Sequence, residues 1–471
     1  MRLYWYGFLM LVKKFIFRQN TGKVICEFSE KMGVVYIKVA QILAMQNVGE
    51  IFTEADRQKL VQICDHCNQI PFTKIQKILR QEYGENWSDK FASIDEKPLG
   101  SASISQVHHA VLKDGTEVAI KIKRQDLTRR IAKDVKQIQK LIHRFGRFVR
   151  FQNLFGSDRA LECYLDWIFQ ETDFQNEQYN IVRYKEFADS VNGKIKNVQT
   201  KIVVPKLFTE YSTNNVIVME FITAPTLNHI TMNESNKQKV AQAKNEYIRL
   251  SFYALFHGMP VVFHGDPHGG NLYLDRGNIG FLDMGLIFEF SSEEAELTRE
   301  LFLSAYTEKV DRVIDLLIKR GEYLDMDWEK LRSEMLEEIQ KIKSIPVEQF
   351  FVEMIGIFTQ YNIAVPNFLF KMAKAFLALF GMNTLTGSLT DTKSLLAEQI
   401  TEFYLSRTCN DIKRIFYSGV KLVPNFLSQS MQYGLTQGFS KQLTELTSLS
   451  QQCQQALGNC QEMLDLLEYN R

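Results

Sequence analysis

Over residues 23–46, Ile25, Phe28, Met32, Tyr36, Val39 and Leu43 fall on one stripe, the spacing of a half-buried helix. Lys38 and Gln41 sit together on its flank, because residues three apart on a helix are neighbours. Two shorter helices are predicted within 54–83, broken near Pro71. The period then shortens to two. Ser-Gln-Val-His-His-Ala-Val-Leu (105–112) and Glu-Val-Ala-Ile-Lys-Ile-Lys (117–123) read as strands flanking Lys113-Asp114-Gly115, and Asp-Gly is a strong hairpin signal. A long helix follows, marked by Ile131, Val135, Ile138, Leu141, Ile142 and Phe145, then a second helical stretch over 159–188. Strands are expected around 202–208 and 216–221, and from Ala241 onward the pattern is helical except between Val261 and Phe290. The last forty residues are rich in Gln, Ser and Leu and predict a helical tail. A helical prefix, a small sheet interrupted by helices and a helical second half predict an α+β, bilobal, helix-rich fold. The cleft between two such lobes is an ordinary place for a small ligand.

Composition agrees with this layout. Of 471 residues, 45% are hydrophobic and 24% charged, a balance that excludes wholesale disorder. Only 9 prolines and 25 glycines leave few helix breakers. A formal net charge of +1 makes no general case for nucleic acid, which is not expected as a partner. Seven cysteines without regular spacing suit a reducing, cytoplasmic setting. Cys64 and Cys67 flank His66, but a zinc site needs four ligands and no second pair has suitable spacing, so packed thiols are expected.

Charge is uneven along the chain, and that bears on membranes. The apolar run Leu3–Val12 ends at Lys13-Lys14, with no small-residue cleavage site, and falls short of the ~20 residues a span requires. The apolar stretch at 375–385 is interrupted by Gly381 and Asn383, and that at 422–440 carries Pro424, Asn425 and several Ser and Gln. Neither a signal peptide nor a transmembrane helix is expected. Residues 1–45 nevertheless hold seven Lys or Arg against two Glu, interleaved with Tyr4, Trp5, Tyr6, Phe8, Phe15 and Phe17. Residues 121–150 add eleven Lys or Arg against Asp126 and Asp134. Such segments either lie on an anionic membrane surface or pack their apolar side and solvate their charge.

The candidate chemistry lies in Val-Phe-His-Gly-Asp-Pro-His-Gly-Gly-Asn (262–271) and the segment after it. Asp266 and Asn271 are five apart, and Asp283 follows in Asp283-Met284-Gly285. Phosphoryl transfer uses Mg²⁺ held by oxygen ligands. Asn271 and Asp283 are the candidate metal ligands, and Asp266 is the candidate that orients a nucleophile or accepts its proton. The spacing resembles the catalytic loop and Asp-Phe-Gly segment of protein kinases. Gly265 stands where regulated kinases carry the arginine that reads a phosphorylated activation loop, so that mode of activation is not expected. Lys121 is the candidate for the strand lysine that pairs the α- and β-phosphates, with Glu171, Asp173 or Glu177 as its carboxylate partner. No Gly-x-Gly-x-x-Gly precedes the hairpin. Gly100, Ser101, Ala102 and Ser103 hold its place, small enough for backbone N–H groups to approach phosphates. With Lys121, and Glu220 at the end of the 216–221 strand, they are the candidate ATP contacts.

These motifs, in this order, resemble the UbiB/AarF family of atypical protein-kinase-like proteins, linked to isoprenoid-quinone biosynthesis. The resemblance covers roughly residues 20–390 and rests on Lys38-Val39-Ala40-Gln41, the loop 100–108, Lys121, Glu171-x-Asp173-x-x-x-Glu177, the loop 264–271 and Asp283. It implies a kinase-like fold whose helical prefix packs over the cleft, with ATP and Mg²⁺ as cofactors. It further implies that Lys38 and Gln41 stand where a protein substrate would lie, that Glu171 pairs with Lys121, and that Glu177 meets the prefix. The expected organisation is a helical extension (1–90), an N-lobe with inserted helices (91–221), a helical C-lobe (222–400) and a tail (401–471). Three positions depart from the family pattern: Ala40 for Gly, Gly269 for Pro and Met284 for Phe. Gly269 loosens its loop by about 1 kcal/mol of unfolded-state entropy.

The implied function is a membrane-peripheral ATPase serving prenyl-lipid or quinone metabolism, with quinone-biosynthesis enzymes as partners. Two other readings are a pseudokinase scaffold with little turnover and a small-molecule phosphotransferase.

Overall fold

The computed structural model describes residues 20–45, 69–145, 158–307, 328–342 and 367–386, apart from 103, 126, 196, 197, 232 and 268, together with short pieces elsewhere. The N-terminal aromatic-basic segment (save the helical Tyr6), Cys64, Cys67 and nearly all of the expected tail lie outside the described residues. Two compact units divide the chain. One comprises Met1–Tyr247, Val262–Phe290 and Glu348–Thr390; the other comprises Ile248–Val261, Ser291–Val347 and Asp391–Arg471.

The first unit begins with α1 (Thr21–Met32) and α2 (Val34–Met45). The Asn20 carboxamide oxygen starts α1 by accepting from the Gly22 and Lys23 N–H groups at 2.8 and 3.3 Å. The single helix expected over 23–46 is thus two. Gly33 sits at φ 113°, a left-handed value that glycine adopts cheaply, and ends α1 with its N–H on the Ser29 carbonyl. Next come α3 (Phe72–Tyr83), directly after Pro71, and β1 (Phe91–Ile94), β2 (Gly100–Ser101), β3 (Ser105–Leu112) and β4 (Glu117–Lys123).

The Asp-Gly hairpin forms as expected. Gly115 takes φ 87°, and the Asp114 carboxylate accepts the Thr116 N–H at 2.9 Å. With β6 (Val216–Glu220), these strands form an antiparallel sheet in the order β1-β3-β4-β6, with β2 paired to β3. Between β4 and β6 run α4 (Leu127–Phe145), α5 (Asp158–Gln170), α6 (Phe174–Val191) and the short β5 (Ile202–Val203). The expected strand over 202–208 shrinks to β5 because Pro205 has no N–H to give a ladder, leaving Leu207 a single bridge to Met219.

Residues directly opposite across an antiparallel pair share a face. Val118, Ile120 and Ile122 of β4 join Ala110 and Leu112 of β3, Val216 and Val218 of β6, and Ile75, Ile78 and Leu79 of α3 in one buried core. Lys121 alternates to the opposite face, in register with Val107 and Ile217. That alternation aims the lysine away from the core of its own sheet.

After β6 come α7 (Glu234–Phe256), β7 (Val261–His264), β8 (Leu272–Asp275), β9 (Asn278–Phe281) and β10 (Ile287–Phe290). β7 pairs with β10, while β5, β9 and β8 form a small sheet in that order. Then follow α8 (Ser292–Thr307), α9 (Trp328–Ile342) and α10 (Asn367–Thr386). α8 and α9 belong to the second unit. A reciprocal capping box opens α8: Ser291 N–H donates to Glu294 Oε2 at 2.9 Å and Glu294 N–H to Ser291 Oγ at 3.1 Å. Phe252 against Phe302 and Phe256 against Phe403 build that unit's apolar packing. No described helix is long and apolar enough to cross a membrane.

The β8–β9 hairpin carries the residues between the two candidate loops, and its packing is testable. Gly280 lies opposite Tyr273, and a Cβ placed there would fall 2.0 Å from the buried ring. Gly280→Ala is expected to destabilise the protein by about 1–3 kcal/mol, read as a lower urea midpoint. An unchanged midpoint would contradict this packing.

Candidate functional site

Lys121 is the centre of the site. Its side chain is 6% exposed, and its ammonium donates to Glu177 Oε1 at 2.6 Å and to Asp283 Oδ2 at 2.9 Å. Glu177 comes from the buried stripe of α6, between Phe174 and Ile181, Tyr184 and Ala188. A glutamate on such a stripe must find a cation, because a lone buried charge is strongly unfavourable. The Asp173 carboxylate starts α6 by accepting the Gln175 N–H at 2.9 Å. Glu171 lies before that start, its N–H still bonded to the Trp167 carbonyl at the end of α5. The helical stretch expected over 159–188 is therefore interrupted at 171–173, and the two glutamates leave on separate elements.

This break exchanges their partners. Glu177, not Glu171, pairs with Lys121, and Glu171 instead accepts from Lys38 of α2. The expectation of a Lys121–Glu171 pair, with Glu177 meeting the prefix, is corrected accordingly. The prefix does reach the acidic cluster through Lys38. The Gln41 side chain lies outside the described residues.

Burial and pairing pull the ionisations apart. Burial alone would lower Lys121, but Asp283 and Glu177 overcome it and hold the ammonium above its ordinary range. Burial pushes Glu177 up to about 7, with Lys121 opposing. Burial also works against ionised Asp283, yet Lys121 and the Gly285 N–H hold it down to about 2. Burial raises Glu171, Asp266 adds to the rise, and Lys38 opposes it.

His264 couples the two loops. The Asp266 N–H donates to its Nδ1 at 3.1 Å, so its Nε2 carries the proton and donates to the Asp283 carbonyl at 2.6 Å. The ring is buried and stacked on Phe281, centroids 4.8 Å apart. Asn271 Nδ2 lies 3.4 Å from the Asp266 carbonyl, leaving the amide oxygen for a cation. The Gly285 N–H donates to Asp283 Oδ1 at 2.8 Å. Asp283 thus turns one oxygen to this backbone N–H and the other to Lys121.

The loop before the hairpin is tied from several sides. β2 sets Gly100 against Val107 and Ser101 against Gln106. The Ala102 N–H donates to the Ser105 carbonyl at 2.9 Å. Arg124 donates to the Ala102 carbonyl at 2.9 Å and to Ser101 Oγ at 2.8 Å. Gln106, fully buried, accepts from the Ile70 N–H at 2.7 Å and donates to the Ile70 carbonyl at 3.0 Å. Ser103 lies outside the described residues. Glu220 is exposed at the end of β6, its carboxylate accepting the Lys206 N–H at 3.1 Å.

The three departures from the family pattern are accommodated. Ala40 is buried at 1% exposure, so its methyl is packed. The Gly269 carbonyl accepts the Asn228 N–H at 3.2 Å. Met284 is buried, its carbonyl accepting from Asn180 Nδ2 at 2.8 Å. One residue of the cluster escaped sequence reasoning: Lys374 of α10, whose ammonium is 3.8 Å from Asp266 Oδ1. Its signal is two lysines in the otherwise apolar Phe-Leu-Phe-Lys-Met-Ala-Lys-Ala-Phe run (368–376), where an apolar helix obliges cations to seek partners.

A strand lysine locked to a helix glutamate and a loop aspartate, beside an Asp…Asn loop joined to it through a buried histidine, defines a kinase-like protein. Residues 62–317 match the ABC1 atypical kinase-like domain. The chain belongs to that family, the UbiB/AarF proteins. Relatives include a probable serine/threonine-protein kinase of Dictyostelium discoideum, 26% identical over 71% of this chain and 59% of its own length. An ABC1 family protein of Schizosaccharomyces pombe is 29% identical over 59% of this chain and 51% of its own length. This chain therefore spans little more than half of these relatives. Among solved structures, the Mycobacterium tuberculosis protein Rv3197 in complex with erythromycin is 19% identical, with a TM-score of 0.45 over 77% of this chain and 90% of that one.

The pairing can be checked by double-mutant cycles on stability. Lys121→Met combined with Glu177→Gln is expected to show a coupling above about 1 kcal/mol, and Lys121→Met with Glu171→Gln one below about 0.5 kcal/mol. Equal couplings would refute the exchange.

Proposed function

We propose that this chain is an atypical kinase-like ATPase that binds Mg·ATP at Lys121, Asp283 and Asn271. The observation that carries this reading is the doubly paired Lys121, held by Glu177 with Asp283 at hand and the Asp266–Asn271 loop beside it. Glu177 fixes the ammonium so that it can meet α- and β-phosphate oxygens without searching. The small residues Gly100, Ser101 and Ala102, held by Arg124 and Gln106, would let the same phosphates come close. Glu220 would contribute at the far end of the nucleotide, through its backbone, since its carboxylate is engaged elsewhere.

The donor set fits Mg²⁺. One carboxylate and one amide oxygen are what a hard cation takes from a protein when phosphates and water complete its octahedron. Among the described residues, no group of three or more His, Cys, Asp or Glu could hold a metal ion by itself. When bound, Mg²⁺ supplies charge neutralisation for the transferring phosphoryl group. Asp266 would orient water or another small nucleophile. Lys38, paired with Glu171, places the prefix over the acceptor side, which favours slow hydrolysis over phosphorylation of protein chains.

The wider role we propose is membrane-peripheral support of isoprenoid-quinone or prenyl-lipid metabolism. The family resemblance supports it, as does α4, which exposes Arg129, Arg130, Lys133, Lys136 and Lys140 while burying Ile131, Val135 and Ile138. A one-sided basic helix suits an anionic lipid surface.

The purified chain is expected to bind Mg·ATP and hydrolyse it slowly, and folded Asp283→Asn to lose Mg²⁺-dependent binding. Unchanged affinity in that variant, or efficient phosphorylation of a generic peptide by the unmodified chain, would overturn the assignment. The chain is also expected to sediment with anionic vesicles and to release them as salt rises, because screening weakens surface attraction. Equal sedimentation with neutral vesicles would refute the lipid reading.

A further inference from the structure

We propose that Lys374 is a phosphate-contacting residue of the site, directed at the terminal phosphate of a bound nucleoside triphosphate. The inference rests on the ATPase reading and deepens it, and residue 374 lies beyond the stretch that matches the family domain.

Position is the first argument. Lys374 Nζ stands 3.8 Å from Asp266 Oδ1, and its side chain is 14% exposed. That separation is beyond hydrogen-bond length, so the attraction is Coulombic and the ammonium can turn to a new oxygen without breaking a directed bond. Lys374 also acts on Glu171, pulling its carboxyl down against burial. It therefore stands against Asp266 and also acts on Glu171, whereas Lys121 serves Glu177 and Asp283.

Anchoring is the second. Three residues earlier on α10, Lys371 donates to the Glu289 carbonyl at 3.1 Å and lies over the Phe290 ring. Two residues later, Phe376 packs on Phe263 at 5.7 Å. Phe370, Met372, Ala373 and Ala375 are buried. The backbone of Lys374 is thus fixed against β7 and β10, the strands that carry the two catalytic-looking loops.

Chemical need is the third. Negative charge spreads over the equatorial oxygens during phosphoryl transfer, and cations placed there lower the barrier. The loop from His264 to Asn271 contains no lysine or arginine. Asp266, reading as the group beside the nucleophile, marks where the terminal phosphate must come. A lysine from another element, next to that aspartate, supplies the missing positive charge.

The test compares Mg·ATP with Mg·ADP by titration calorimetry on the full chain and on Lys374→Met, Lys374→Gln and Lys374→Arg, with folding followed by circular dichroism. Lys374→Met is expected to weaken ATP binding at least fivefold and ADP binding less than twofold, and Lys374→Arg to keep the wild-type ratio. Should the methionine variant not fold, the glutamine variant carries the same comparison. An ATP-to-ADP ratio unaltered in folded Lys374→Met or Lys374→Gln, with the wild-type chain binding both nucleotides, would overturn this inference alone. A wild-type protein that binds neither would overturn the ATPase reading and this inference with it.

Discussion

A lysine ammonium taken out of water is tolerated only where carboxylates surround it, and that constraint organises the site. Lys121 meets Glu177 and Asp283 at hydrogen-bond distance. Each of the three groups comes from a different element: Lys121 from the register of β4, Glu177 from the start of α6 and Asp283 from the loop ahead of β10. Moving any of them would leave a charge stranded, which costs several kcal/mol. The sheet register, the cap at Asp173 and the His264 bridge can all be understood as ways of keeping these three groups together.

The same arrangement poises the site for a charged ligand. The second Glu177 oxygen finds no partner among the described residues, and its carboxyl is pushed up to about 7 by burial. Asp283 remains firmly ionised, with 40% of its side-chain surface accessible. One acid is therefore committed to holding the lysine, while in the proposed reading the other would leave it for a cation. Lys38–Glu171 and Lys374–Asp266 form a second layer of charge, with the lysines contributed by α2 and α10. Both lysines lie outside the residues that match the family domain. The segments flanking that domain thus supply two of the cations in this cluster.

Much of this was legible in the residues alone. The hairpin at Asp114-Gly115, the alternation of β3 and β4, and the Asp266, Asn271 and Asp283 spacing are local properties, and local chemistry enforces them wherever the chain folds. That the prefix helix meets an acid of the 171–177 motif is likewise implied by the family resemblance, although the acid is Glu171 and not Glu177. Stripe patterns failed where a single residue interrupts them. Gly33 divides a continuous apolar stripe by taking a left-handed backbone, Asp173 restarts a helix by capping it, and Pro205 cuts a strand by lacking an N–H. Each breaker was visible, but periodicity averages over single positions.

Which acid meets which lysine was decided only in three dimensions. The Lys121–Glu177 and Lys38–Glu171 pairs span 56 and 133 residues. No spacing rule reaches that far. Glu171 and Glu177 belong to one short acidic motif, and their chemistry is nearly identical. What separates them is packing: Glu177 replaces an apolar residue on the buried stripe of α6, while Glu171 projects from the end of α5. Lys374 shows the same division, since a lysine in a largely apolar helix must find an anion. Only the docking of α10 on β10, through Lys371, and of Phe376 on Phe263 made that anion Asp266. Sequence determines which groups must be paired, because the cost of a buried charge is a property of the residue. Tertiary structure decides the partner, because that depends on where separate elements come to rest.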